Sequence, residues 1–338
     1  MFIGSKKLSL RINDAESAWQ ALELENQTGG YKSILLSHLN VEVRVGLMYP
    51  EKLPALLVGF YDWNPRRSID AVQLQGLELD CVQLHGSDAN WLGITKTKEG
   101  SYDLFLRIVE DLFETIEKSS SLGIQECLLK IAERFYAWRE FLKRKSIKLD
   151  RSGQIGLFGE LIVFKALNFS GLDANKLVDG WVGPKRGIHD FVFSSTTVEV
   201  KTCSNNDKII YVDSVDQLSP VDGCALVLAI VQIEQSTIGI SLADLVNLCR
   251  GLFSEDSFSR SEFDNLLLKL GYLTADESKY SDQYVVTKTD FYPVLDDFPR
   301  LKRGDIPTEV YDASYQMSLA RYSGEKITED ELFDLLRR

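Results

Sequence analysis

One run of residues constrains the fold of this chain more than any other: His189-Asp-Phe-Val-Phe-Ser-Ser-Thr-Thr-Val-Glu-Val-Lys201. Two β-branched and aromatic segments flank four small hydroxyl residues, which is the pattern of a tight β-hairpin. With Ser194–Thr197 as the turn, Phe193 stands opposite Val198, Val192 opposite Glu199, and Asp190 opposite Lys201. A two-residue turn at Ser195–Thr196 keeps the same register. Opposed residues share a face, and side chains alternate faces along a strand. One face therefore carries Phe191, Phe193, Val198 and Val200, and the other gathers Asp190, Glu199 and Lys201 with Val192 among them. A turn of three or five residues would flip one strand and scatter the set.

The segment before the hairpin, Ser152 to Leu167, reads as one buried helix in which Glu160 shares a stripe with Leu157, Leu161 and Phe164. A carboxylate on an apolar stripe costs several kcal/mol, roughly, unless something pairs with it. Gly156 and Gly159 on the same helix lower its intrinsic propensity. Both features fit a helix face that closes against a cation site, with glycine allowing the backbone to come near.

At 338 residues the chain can form one large domain or two ordinary ones. The N-terminal residues lack the apolar core of a signal peptide, and no apolar run approaches the roughly 20 residues of a membrane span. The five cysteines are scattered, with no paired spacing and no accompanying histidines. That argues against zinc and fits reduced thiols in a cytoplasmic protein. His38 and His85 stand alone and read as ordinary surface or core histidines.

A net charge of −12 works against tight, unaided binding to nucleic acid but allows a local basic track. Candidate stretches are Arg139, Lys143, Arg144, Lys145, Lys148 and Arg151; Lys185–Arg186; and Arg300, Lys302 and Arg303. Each is also readable as a solvated face.

Residues 1–118 are expected to form a β-rich module, and 119–338 a second domain, with the break in the Ser-rich turn near Lys118–Gly123. Alternation at period two marks strands over Val41–Val45 and Val72–Leu84, with a short apolar run at Leu56–Tyr61. Trp63 and Trp91 have core packing as their default role, with base stacking the alternative. Helices are expected over Tyr102–Lys118 and Ile124–Lys143. Beyond the hairpin come strands at Lys208–Asp213, Ala225–Ile233 and Gln283–Tyr292. Helices are expected at Leu242–Phe253, Arg260–Leu270 and Thr328–Arg337. The near-continuous apolar run Ala225–Ile233 suits a strand covered on both faces. The order implies an α/β sheet flanked by helices.

Glu160, Asp190 and Glu199-Val200-Lys201 together resemble the PD-(D/E)XK nuclease superfamily, to which restriction endonucleases and mismatch-repair nicking enzymes belong. Gly156-Leu-Phe-Gly-Glu-Leu161, Trp181-Val-Gly-Pro184 through Phe191, and Glu199-Val-Lys-Thr202 resemble more narrowly a bacterial family of PD-(D/E)XK proteins, many associated with phage defence. The proline of the signature is His189 here; it is not a chemical group, and hairpin parity turns His189 toward the Phe191 side. The resemblance implies a restriction-endonuclease-like mixed sheet flanked by helices.

Phosphodiester hydrolysis needs a positioned water and neutralisation of charge on the phosphoryl group and leaving oxygen. Mg²⁺ (or Mn²⁺) takes oxygen ligands and retains several waters. Asp190, Glu199 and the Val200 carbonyl are the expected ligands, and Glu160 would hold a second cation or one of its waters. Lys201 would orient the attacking water or stabilise a phosphoryl oxygen, its pKa lowered by burial and the cation or held up by the carboxylates. The plainer reading is a cross-strand ion pair between Asp190 and Lys201. Gln217 and Gln232 are accessory candidates.

The expected function is metal-dependent cleavage of DNA in defence or restriction, with a partner such as a helicase or other ATPase, or as an oligomer. The alternative is a catalytically silent scaffold or DNA-binding subunit. An RNase, or a nuclease for modified DNA, would use the same chemistry.

Overall fold

The computed structural model describes residues 10–38, 41–61, 72–144, 149–204, 209–221, 223–254, 257–322 and 324–337. Trp63, Lys145, Lys148 and Lys208, named above, lie outside them. The chain divides into two compact units, Met1–Ile147 and Lys148–Arg338.

The first unit is built on an antiparallel sheet of β1 (Gly30–His38), β2 (Glu42–Tyr49), β3 (Leu53–Phe60), β4 (Val72–Leu74), β5 (Leu77–Val82) and β6 (Asn90–Lys96), in the order β1-β2-β3-β6-β5-β4. The alternating run from Val72 is two strands rather than one. Gln75 and Gly76 both adopt positive φ, 53° and 74°, as a tight hairpin turn requires. Helix α1 (Ile12–Glu23), not expected from the sequence, buries Ala15, Ala18, Trp19 and Leu22. Helices α2 (Tyr102–Ser119) and α3 (Ile124–Leu142) form a pair clamped by Arg134, whose guanidinium donates to both oxygens of Asp111 at 2.7 and 2.6 Å. The Ser-rich segment at 119–123 is thus the loop of a helical hairpin. Because α2 and α3 pack on each other, the division falls after Ile147 and not near residue 118.

The second unit is α/β. Its central mixed sheet has the order β11-β10-β8-β7: β7 (Phe191–Val192), β8 (Thr196–Ser204), β10 (Ala225–Ser241) and β11 (Gln283–Pro293). Strands β8 and β10 are parallel, whereas β7–β8 and β10–β11 are antiparallel. One face packs Val198, Val200, Val227, Ala229 and Val231 into a core shared with α4 (Arg151–Phe169), α5 (Ala174–Gly180), α6 (Leu242–Arg250) and α7 (Phe258–Leu270). The other packs Cys203, Leu226, Leu228 and Ile230 beneath the small sheet of β9 (Ile209–Val212) and β12 (Tyr315–Ser318). Burial from both sides explains the unbroken apolar sequence of β10. Together these elements are compatible with a restriction-endonuclease-like fold. Among the described residues no helix is long and apolar enough to cross a membrane.

Two connections shape the site. Parallel neighbours cannot be joined by a tight turn, so the chain from β8 to β10 must cross over. That crossover contains β9 and a single-turn helix, Val215–Leu218, which lie over the Glu199 face. The β7–β8 turn is held from far along the chain. Ser195 Oγ and Thr196 Oγ1 both donate to the Leu335 carbonyl, at 3.1 Å, in helix α8 (Glu329–Arg337).

Candidate functional site

The hairpin forms with a register shifted by two residues from the sequence expectation. Phe191 pairs with Val198 and Val192 with Thr197, and Phe193 N donates to the Thr196 carbonyl, so the turn is Ser194–Ser195. A shift of two leaves the side chains of the paired strands on their expected faces. Phe191 and Val198 are buried in the helix-side core, and Val192 on the opposite face is 42% exposed. What changes is the pairing: Asp190 now stands level with Glu199. In place of the plainer reading's ion pair between Asp190 and Lys201, Lys201 Nζ makes contacts of 2.9 Å to Glu199 and 3.8 Å to Asp213.

Three places in the fold supply the group: β8 gives Glu199 and Lys201, the residue before β7 gives Asp190, and α4 gives Glu160. Glu199 comes from the middle of β8 and is 1% exposed, with Oε2 left without a hydrogen-bond partner. Asp190 sits just before β7, where its carbonyl accepts from Val182 N at 2.9 Å and Gly183 N at 3.0 Å. Its Oδ2 accepts from Val200 N at 2.7 Å. The N–H and C=O of a strand residue point to the same side, so the Val200 carbonyl faces that edge too. Glu160 arrives on α4 and accepts from the Trp181 indole Nε1 at 2.7 Å. Lys201 Nζ also donates to Gln217 Oε1 at 2.9 Å, and the same oxygen accepts from Asp213 N at 2.9 Å.

Glycine lets these parts meet. A Cβ on Gly159 would lie 1.9 Å from Thr202 Oγ1 of β8, so α4 can approach the sheet only without a side chain there. Gly156 is different: a Cβ would meet nothing within 4 Å, so close approach does not account for it. On Gly183 a Cβ would lie 2.9 Å from Asp190 Oδ1 and 3.4 Å from Glu160 Oε2, which brings those two carboxylates to one point of backbone.

The electrostatics follow from crowding like charges in a desolvated corner. Burial raises Glu160 well above the usual glutamate range, the Asp190 charge adds to it, and the Trp181 hydrogen bond opposes it. Burial pushes Asp190 up to about 6, against the Val200 N–H and the Lys201 charge. Glu199 is raised by burial and then by Asp190, with Lys201 opposing. For Lys201, burial disfavours the ammonium, but Glu199, Asp190 and Asp213 outweigh it and hold the group above the usual lysine range. Between burial and the carboxylates, the carboxylates prevail.

Among the described residues no three His, Cys, Asp or Glu side chains form a ready-made metal cage. The corner nevertheless suits a hard cation: its side-chain donors are oxygens, they repel one another, and one buried Glu199 oxygen lacks a partner.

His189 is 2% exposed but lies against the backbone of Asp216–Ser219 instead of on the Phe191 side, because it precedes β7 and strand parity does not reach it. Gln232 is on β10 in register with Cys203, two positions past Lys201. Several basic residues are already engaged: Lys143 with Glu140 at 2.6 Å, Lys185 with Glu262 at 3.4 Å, and Arg303 with Asp216 at 3.4 Å. Trp181 and Asp213 were not legible as site neighbours. In the sequence Trp181 belongs only to a motif that carries the resemblance, with no role of its own, and Asp213 reaches Lys201 only through the crossover.

No curated protein and no solved structure matches this chain. A family model does, and over most of its length. The model of the DUF4420 family, described as "Putative PD-(D/E)XK family member", matches residues 15–320, and the chain belongs to that family.

Proposed function

We propose that this chain is a divalent-metal-dependent nuclease that hydrolyses phosphodiester bonds in DNA, with Asp190, Glu199, Lys201 and Glu160 as its working residues. The observation that carries the reading is the convergence of three repelling carboxylates and one lysine, with a buried Glu199 oxygen left unpartnered. Asp190, Glu199 and the Val200 carbonyl would hold the cation, Mg²⁺ or Mn²⁺, and Glu160 would help hold a second. A bound cation supplies charge neutralisation at the phosphate and a more acidic water. Lys201, kept protonated by its neighbours, would place its ammonium against a phosphoryl oxygen. Gln217 would steady that ammonium when the cation displaces it from Glu199.

The net charge of −12 and the engaged basic groups support a need for help in holding DNA, from a helicase or other ATPase or from a second copy. A cytoplasmic role in phage defence or restriction is the setting we favour. A silent scaffold is the second reading, favoured by the 2.9 Å Glu199–Lys201 pair, which gives the lysine a structural use without metal.

The deciding experiment incubates supercoiled plasmid with the protein and Mg²⁺ or Mn²⁺, beside Asp190→Ala and Lys201→Ala. Cleavage by the wild type that both variants abolish is the expected result. Cleavage surviving in both would remove these residues from the chemistry. No cleavage, together with no Mn²⁺ binding by direct titration, would favour the scaffold.

A further inference from the structure

Glu160 has an unusual partner for a half-buried carboxylate. The Trp181 indole is wholly buried, and its ring lies 5.9 Å from Phe164, 6.4 Å from Phe191 and 5.7 Å from Phe263, centroid to centroid. A ring packed on several sides has little freedom to swing its N–H away. Its backbone is pinned as well: Trp181 bridges to Phe191, and Trp181 N donates to the Leu177 carbonyl at 2.9 Å. The next two residues, Val182 and Gly183, donate to the Asp190 carbonyl. A single three-residue strap therefore grips Glu160 by a side chain and Asp190 by its backbone.

The chemistry of the grip is selective. An indole N–H is a donor without charge. An arginine or lysine in its place would orient the carboxylate and also cancel the charge a cation needs. The indole fixes one oxygen and leaves the negative charge available. Neutral donors behind a metal-binding carboxylate are typical of the outer contacts that set ligand orientation, and losing one commonly costs 10–100-fold in metal affinity.

We propose that Trp181 is a positioning residue whose indole N–H holds the Glu160 carboxylate in its cation-binding orientation. This rests on the reading of Glu160 as part of the cation site.

The test is calorimetric titration of the full chain with Mn²⁺ alone, without DNA, for the wild type, Asp190→Ala, Glu160→Gln, Trp181→Phe and the Glu160→Gln/Trp181→Phe double variant. Phenylalanine keeps a ring in the aromatic cluster and removes the donor. Trp181→Phe is expected to bind Mn²⁺ about 10-fold more weakly than the wild type. In the Glu160→Gln background the same change is expected to add nothing, because its only route is through Glu160. Trp181→Phe binding as tightly as the wild type, or weakening the two backgrounds equally, overturns the proposal. If the wild type binds no Mn²⁺, the cation reading itself fails and takes this proposal with it. Tight wild-type binding lost in Asp190→Ala keeps the two failures apart. Should Trp181→Phe not fold, the wild-type indole N–H resonance that moves in Glu160→Gln gives the answer: it is expected to shift on titration with Mg²⁺, and a stationary resonance overturns the proposal.

Discussion

Asp190 carries its charge into a place that disfavours it. With its pKa pushed up to about 6 by burial, the folded protein binds this proton more tightly than the unfolded chain does. The resulting stability is fully present below about pH 4 and is lost as pH rises to about 6. Asp190→Asn removes the titrating group and keeps an oxygen for the Val200 N–H. Its unfolding free energy, from urea melts at each pH, should match the wild type near pH 4 and exceed it increasingly up to pH 7, by about 3 kcal/mol. A difference that stays constant across that range would contradict the assignment. The two helix glycines make a second residue-level contrast. Gly159→Ala drives a Cβ onto Thr202 Oγ1 and should cost about 1–3 kcal/mol in urea unfolding. Gly156→Ala meets open space and should be neutral or stabilise by up to about 1 kcal/mol. Their sequence contexts look alike; only the neighbour across the helix separates them.

The hairpin shows how much can be read at the scale of an element. Strand faces were legible because alternation has a period of two, and the two-residue slip in register preserves it. The register itself was not legible, since four consecutive small hydroxyl residues offer several equivalent turns. Inserting one glycine after Ser194 should therefore abolish plasmid cleavage and Mn²⁺ binding, whereas inserting two should retain a measurable part of both. Equal damage from the two insertions would show that faces do not govern the site. Helices α2, α3, α4, α6 and α7 were legible to within a few residues because each carries a 3.6-residue apolar period. Gln217 was legible as an accessory candidate, but the roles of Trp181 and Asp213 were not. Trp181 reaches Glu160, and Asp213 reaches Lys201, from segments whose path is set by tertiary contacts, and neither has local periodicity to announce it.

At the scale of the whole molecule, Glu160, Asp190, Glu199 and Lys201 and both layers around the central sheet belong to the second unit. A unit with its own core can fold alone. The fragment from Lys148 to Arg338 should give a cooperative melt and retain Mn²⁺ affinity within about threefold of the full chain; a molten fragment would show that the first unit is needed for folding. Any DNA affinity of the isolated chain should be weak and fall only modestly between 50 and 200 mM salt, since the slope scales with the number of phosphates neutralised and the described basic groups are scattered. Filter binding across that range measures it. The contact between the hairpin turn and Leu335 carries a further consequence, one of timing. The two residues that grip the Leu335 carbonyl precede it by 140 and 139 positions. A ribosome releases the carboxylates of the site long before it releases the group that fastens their turn. During synthesis the chain holds all the candidate side chains with its clasp still open, until Leu335 emerges and closes it.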